Sequence, residues 1–245
     1  MDDLEIKRTI KRGTKGKKVK CIQEWLCLHG FDVLIDGIFG PATEKAVVEF
    51  QRMKGITADG KVGKETYSLL VKPMKEAVAP IAANGRTLGQ MICAYAEQHI
   101  DQQPREVGGE NRGPWVRLYM SGGEGKKFHW CAGFVSFILG QACSSLNIPL
   151  PIEASQNCDI LAAGARQKGL FKKGSDIIYK STIKPGSFFL NLKSEGDWDH
   201  TGIVIDADTD VFYTIEGNTN HSGNRNGYTA LKRIRGYDRK DFIIF

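Results

Sequence analysis

The sequence predicts an α+β chain in two parts: a three-helix module over residues 1–72, then, after a linker over 73–86, a domain over 87–245 in which helices precede an antiparallel sheet. Three observations lead there. A turn pattern, D-G-x-apolar-G-x-x-T, occurs at Asp36–Thr43 and again at Asp59–Thr66, and each copy runs into an apolar stripe of helical period. Residues 71–86 shift to Ala and Pro with no aromatic, the composition of a linker. Beyond them, helical stripes come first and short β-rich runs last, which is the segregation of an α+β fold.

Each element has its own signal. In the first helix Val19, Ile22 and Leu26 share a face with Trp25 beside them, and Gly30 supplies a C-terminal stop. Pro41 suits the first turn of the second, whose apolar residues Ala46, Val47, Phe50 and Met53 lead to Gly55. Tyr67, Leu69 and Leu70 mark the third. Two copies of the turn are too few for a solenoid, so a compact module is expected. Thr87 and Gln90 have capping-box spacing and open a helix with Leu88, Met91, Ile92 and Tyr95 on its apolar side. Another helix fits 131–145, with Val135, Ile138, Leu139 and Ala142 together. Strands are predicted over 187–192, 201–206, 211–216, 228–235 and 241–245.

Composition narrows the classes. With 245 residues, 41% of them hydrophobic, the chain can bury sizeable cores and is not a disordered polymer. No apolar run reaches the roughly 18 residues of a membrane-spanning helix, so membrane insertion is not expected. The first residues, MDDLEIKRTIKRG, hold no apolar h-region, so a removable signal peptide is not expected either. Net charge is +6, and Lys7, Arg8, Lys11, Arg12, Lys15, Lys17, Lys18 and Lys20 crowd the start. That run fits a polyanionic partner (nucleic acid, anionic lipid or an envelope polymer) or a solvated face. No recognition-helix or zinc signature accompanies it, so a nucleic-acid partner is not expected. Cysteines stand at 21, 27, 93, 131, 143 and 158 without a C-x-x-C pair. No metal, cofactor or disulfide framework is expected, and Cys21 and Cys27 point to different faces of one helix. A monomer is expected.

The stretch from Arg12 to Leu70 resembles the peptidoglycan-binding domain often appended to cell wall hydrolases. The matching pieces are Arg12-Gly13, Val19-x-x-Ile22-Gln23, the helix end at Leu26-x-x-x-Gly30, both D-G turns, and Phe50-Gln51. The resemblance implies bacterial peptidoglycan as partner, bound at the stem peptide or glycan. Asp36, Phe39 and Thr43 are candidate wall contacts, and the same residues fit turn and packing roles.

Two elements in the second part carry chemistry. Trp130-Cys131-Ala132-Gly133 puts Cys131 at the first turn of a helix, where the partial positive charge favours thiolate; a Cys on a helix is more often a small buried hydrophobe. The runs 203–205 and 211–213 flank Asp206-Ala207-Asp208-Thr209-Asp210, read as a hairpin turn. A turn centred on Asp208 places His200 opposite Glu216, near enough for the carboxylate to accept the imidazole N–H and raise its basicity. Asn218 follows on the same face. The bland alternative is an ordinary cross-strand polar pair.

Together these elements resemble the CHAP family of cysteine amidases and peptidases. The matching pieces are Trp130-Cys131-Ala132, Pro185-Gly186-Ser187, Asp199-His200-Thr201-Gly202-Ile203-Val204 and Ile215-Glu216-Gly217-Asn218-Thr219. The resemblance implies a papain-like α+β domain acting on peptidoglycan, with Cys131 as nucleophile, His200 as base, Glu216 orienting His200, and Asn218 as a further orienting or polar residue. The long segment 147–184, with Cys158 inside, departs from the pattern. Trp115, Trp130 and Trp198 are candidate substrate contacts, by stacking on sugar or stem peptide, or else pack. Asp206-x-Asp208-x-Asp210 lacks the Gly and Glu of a calcium loop and reads as a turn. His129 reads as a groove residue and His221 as part of a loop over 220–224.

The expected function is hydrolysis of an amide in the stem peptide or at the glycan–peptide junction, as an amidase or endopeptidase of phage-lysin type. The alternatives are an antibacterial secreted effector with the same chemistry, or a non-catalytic wall-binding protein. Synthesis in the cytoplasm is expected, with action on the wall after lysis, pore passage or injection.

Overall fold

The structure is a computed structural model that describes residues 4–178, 180–222 and 226–245. Its N-terminal part holds α1 (Lys17–Leu28), α2 (Pro41–Met53), α3 (Lys64–Leu70) and α4 (Lys72–Ala77). Val19, Ile22, Trp25, Leu26, Phe39, Val47, Phe50, Val62, Tyr67 and Leu70 form its buried core.

Each D-G turn is held by one buried glutamine. Gln23 Nε2 donates to Asp36 Oδ1 (2.8 Å), the Ile38 carbonyl (3.1 Å) and Thr43 Oγ1 (3.1 Å), while its Oε1 accepts the Gly37 N–H (2.8 Å). Gln51 repeats the set on Asp59 Oδ1 (3.1 Å), the Lys61 carbonyl (2.9 Å), Thr66 Oγ1 (3.2 Å) and the Gly60 N–H (2.9 Å). The repeated Asp, Gly and Thr are therefore the partners of an amide, and Gly37 and Gly60 sit at φ of +76° and +72°, where a side chain is strained.

The predicted linker differs from expectation. α4 follows α3 directly, with Pro73 in its first turn and Met74 and Ala77 buried. The Gln98 amide donates to the carbonyls of Ala77 and Ala79, both at 2.9 Å, and Tyr95 Oη accepts the Ile81 N–H at 2.9 Å. Val71, Met74 and Ala77 supply an apolar face three residues apart, which a composition count overlooks.

The second part contributes α5 (Leu88–Ile100), opened by the Thr87–Gln90 capping box, then α6 (Pro114–Tyr119), α7 (Cys131–Leu146) and α8 (Cys158–Gln167). Six strands follow: β1 (Phe171–Lys172), β2 (Phe188–Ser194), β3 (Asp197–Ala207), β4 (Val211–Thr219), β5 (Thr229–Gly236) and β6 (Lys240–Ile243). They form one antiparallel sheet ordered β1-β6-β2-β3-β4-β5. Phe188, Leu190, Ile203, Ile215 and Ile243 join the main core with the helices. On the other face Phe189, Val204, Phe212 and Phe242 pack against Ile177 and Ile183. The segment 147–184 thus supplies α8, an edge strand and the cover of the second face.

The two parts share that main core. Trp115 meets Trp25 edge to face at 6.0 Å. Arg117 Nη2 donates to the buried Glu24 Oε2 at 2.7 Å, and its Nη1 to Glu124 Oε2 at 2.8 Å. Lys20 pairs with Glu124 at 3.1 Å. No described helix is long and apolar enough to cross a membrane.

Candidate active site

Cys131 is the first residue of α7, following Trp130, so the helix's free N–H groups and positive end lie at its sulfur. Trp130 fixes this start. Its indole N–H donates to Glu106 Oε1 at 2.9 Å, and its ring stacks on Tyr119 at 5.5 Å.

His200 comes from β3 and Glu216 from β4. The register pairs Ile203 with Ile215 and Val204 with Thr214, with a bulge between Val204 and Asp206. The turn is centred beyond Asp208, with the Asp208 N–H donating to the Val211 carbonyl at 2.8 Å. His200 and Glu216 are consequently not directly opposed, as the sequence suggested, but diagonal. The offset of two positions keeps them on one side of the pair. Glu216 spans the diagonal over Gly202: a Cβ there would lie 2.6 Å from Glu216 Cγ. Gly217 is a second enforced glycine, where a Cβ would lie 2.7 Å from Phe134 Cβ.

The charged groups form a line. His200 Nε2 bonds Glu216 Oε2 at 2.9 Å, and both residues are buried. Arg235, from β5, grips the carboxylate twice, Nε to Oε1 at 2.8 Å and Nη2 to Oε2 at 2.6 Å. The Thr214 hydroxyl donates to Oε1 at 2.6 Å. With Nε2 so engaged, the remaining imidazole atom Nδ1 is buried with no hydrogen-bond partner among the described residues.

Each titration follows from this line. Burial alone raises the Glu216 carboxyl, but Arg235 and His200 outweigh it and hold it at about 2. Burial alone lowers His200, but Cys131 and Glu216 carry it to about 9. The Cys131 thiol lies well below its ordinary range because Cys158 hydrogen-bonds to it and, against burial, His200 also favours the thiolate. Cys158, the first residue of α8, is pushed well above the ordinary range by that same bond and by burial. The two directions favour the same ion pair, with the proton on His200 rather than on Cys131.

Other predicted residues fall elsewhere. Asn218 has a left-handed backbone (φ +53°) and donates to the Gly227 carbonyl (2.6 Å) and Asn111 Oδ1 (3.1 Å), so its amide braces the Glu106–Asn111 loop behind Trp130 rather than His200. Trp115 and Trp130 are buried, and each packs against Tyr119 in an aromatic cluster. Trp198 is also buried, its indole N–H on Asp241 Oδ2 at 2.9 Å and the Arg166 guanidinium over its ring at 4.9 Å, but it borders a groove with Leu192 and Phe171. In the module, Phe39 and Thr43 are buried, and Asp36 is exposed with its carboxylate engaged by Gln23 and the Ile38 N–H. Hydrogen bonds from those two groups lower its pKa. His129 is exposed, and the loop read around His221 runs into 223–225, outside the described residues.

Sequence reasoning missed Arg235, Thr214 and Cys158 as site residues. Arg235 had a weak signal, a cation at an alternate position of a strand. Cys158 had none, since no helix was assigned around it. All six cysteines lie among the described residues, and none of them is in a disulfide. Among the described residues no group of three or more His, Cys, Asp or Glu side chains is placed to hold a metal ion.

Residues 15–70 match the peptidoglycan binding domain family, so this part of the chain is a peptidoglycan-binding domain. The chain is 33% identical over 76 residues to the zinc D-Ala-D-Ala carboxypeptidase of Streptomyces albus G, a match covering 30% of each chain. It is 38% identical over 69 residues to the spore cortex-lytic enzyme of Bacillus cereus, covering 28% of this chain and 27% of the enzyme. Among solved structures, the SleB N-terminal domain is 36% identical over 28% of this chain and 94% of that one, with a TM-score of 0.27. The Burkholderia AP3 phage endolysin is 26% identical over 44% of this chain and 41% of its own, with a TM-score of 0.25. The chain thus spans about 30% of the length of the curated relatives it matches.

Proposed function

We propose that this protein is a peptidoglycan hydrolase that cleaves an amide bond with Cys131 as nucleophile. The observation that carries the reading is the line Cys131–His200–Glu216–Arg235, its first three members buried, attached to a peptidoglycan-binding domain. The lowered Cys131 thiol favours a thiolate as the attacking form. It attacks the amide carbonyl carbon, and the backbone N–H groups at the start of α7 stabilise the oxyanion that forms. As the tetrahedral intermediate collapses, the His200 imidazolium passes its proton to the leaving amine. Neutral His200 then takes a proton from water, which hydrolyses the thioester and returns the thiolate. Glu216 holds the imidazole with Nδ1 toward the sulfur and stabilises its charged form. Arg235 and Thr214 keep Glu216 ionised and aimed.

The binding domain contributes by tethering, which raises the substrate concentration at the cleft without new contacts there. The susceptible bond is an amide of the stem peptide or of its junction with the glycan. Incubating the full chain and its Cys131→Ala variant with purified sacculi, and weighing the soluble fragments, tests the reading. Wild-type protein is expected to release muropeptides or free stem peptides, and the variant to lose this by orders of magnitude. Equal release by both, or none from any sacculus chemotype, contradicts it.

A further inference from the structure

Cys158 is a second sulfur in the site, and no bond made or broken in the amide hydrolysis involves it. It opens α8 as Cys131 opens α7, so each sulfur stands at the positive end of its own helix. No disulfide joins the two, both are buried, and each is the first cause of the other's shifted ionisation. Their carriers are fixed on several sides. Ser136 Oγ of α7 donates to the Ser155 carbonyl at 2.7 Å and accepts the Ser155 N–H at 3.0 Å, clipping the approach to α8 onto α7. Asn157 Oδ1 caps α8 by accepting the Asp159 N–H at 2.7 Å. Asp159 Oδ1 accepts the Trp198 N–H at 2.8 Å, tying α8 to the strand that carries His200. The remaining cysteines stand apart: Cys143 lies three turns along α7, and Cys21, Cys27 and Cys93 are on α1 and α5.

We propose that Cys158 is a resolving thiol, which captures the oxidised form of Cys131 as a reversible Cys131–Cys158 disulfide and so shields the nucleophile from irreversible oxidation. The oxidant class is a hydroperoxide. The Cys131 thiolate attacks one peroxide oxygen, the O–O bond breaks, and the products are Cys131 sulfenic acid and hydroxide (for hydrogen peroxide). The Cys158 sulfur then attacks the sulfenic sulfur. The S–S bond forms, the S–O bond breaks, and the oxygen leaves as water carrying the Cys158 proton. In sum, two thiols and one hydrogen peroxide give a disulfide and two waters. An external dithiol returns both thiols by exchange and is itself oxidised to a disulfide. The inference goes beyond the hydrolase reading and needs only the contact between the two sulfurs.

The test treats the full chain with hydrogen peroxide, blocks free thiols with an alkylating agent, and maps peptides by mass. Cleavage after Glu153 separates Cys158 from Cys131 and Cys143, and a second cut within α7 separates those two. The expected product has lost two hydrogens, joins the Cys131 and Cys158 peptides, and regains two alkylatable thiols with dithiothreitol. The same link is expected in Cys143→Ser. In Cys158→Ser, sulfinic and sulfonic acids at Cys131 are expected to rise roughly tenfold at matched peroxide. Cys131 that proceeds to sulfinic acid in the wild type without a Cys158 link, or a link only to Cys143, overturns the proposal. If Cys158→Ser does not fold, the wild-type map decides alone. A chain that forms the link yet never cuts sacculi leaves this inference standing and sinks the hydrolase reading.

Discussion

Glu216 reaches His200 diagonally across the bare backbone of Gly202, and the resulting 2.9 Å bond is buried from solvent. The contact depends on an absence: the space a Cβ would fill at Gly202 is occupied by Glu216 Cγ.

Gly202→Ala is therefore expected to cost more than an ordinary glycine substitution in a strand, which usually removes flexibility at little steric expense. The added methyl pushes the carboxylate off His200. Muropeptide release should fall by about 10²-fold or more, within the range general-base assistance supplies. Unchanged release with an intact thermal transition would show that the diagonal pair is not needed.

Arg235 separates an electrostatic role from a packing role. Without its guanidinium, burial raises the Glu216 carboxyl from about 2, and a protonated Glu216 cannot stabilise the His200 imidazolium. In Arg235→Met the acid limb of the pH–rate profile should move to higher pH, with Arg235→Lys recovering part of the shift. An acid limb that stays in place assigns Arg235 to packing alone.

Glu216 also links stability to pH. Its folded value of about 2 lies below the ordinary 4.5, so the stabilisation is present above pH 4.5 and is lost as pH falls toward 2. The shift corresponds to on the order of 3 kcal/mol. Denaturant unfolding from pH 6 down to pH 2 should show this loss, and Glu216→Gln should flatten the slope over that window.

The buried Glu24–Arg117 pair fixes the binding domain to the second part. Arg117→Met leaves Glu24 buried with its principal partner gone, and a loss of about 3–5 kcal/mol is expected. The double variant Glu24→Leu/Arg117→Met should recover much of it, because no orphaned charge remains. A single variant as stable as wild type, measured by thermal and urea unfolding, would contradict the buried-pair reading.

Much of the fold was legible because its signals are local. The D-G turns, the Thr87–Gln90 box and the helix beginning at Cys131 lie within a few residues of chain, and each appears where its pattern stood. The five predicted strands appear with their ends displaced by up to four residues. What was not legible is what depends on long-range placement. The turn centre and the bulge between Val204 and Asp206 shifted the β3–β4 pairing by two positions, and only the parity of His200 and Glu216 survived. Arg235 is 19 residues from Glu216, so its grip on the carboxylate needs the β4–β5 register. Trp115 and Trp130 read as ligand platforms because large aromatics with a polar atom serve both surfaces and cores; here Glu106 satisfies the Trp130 indole and burial follows. The Ala-Pro stretch read as a linker because it lacks aromatics, whereas its small apolar residues are what pack α4 against α5.

Nucleophilic catalysis by Cys131 stands or falls with the ionisation of its sulfur. Thiolate absorbs in the ultraviolet where thiol does not, so the absorbance of the wild type minus that of Cys131→Ser can be followed against pH. In the wild type the thiolate signal is expected to persist well below the ordinary value of 9.0, and to shift strongly toward alkaline pH in His200→Gln. A residue-131 thiolate that appears in the wild type only near the ordinary value of 9.0 would contradict it.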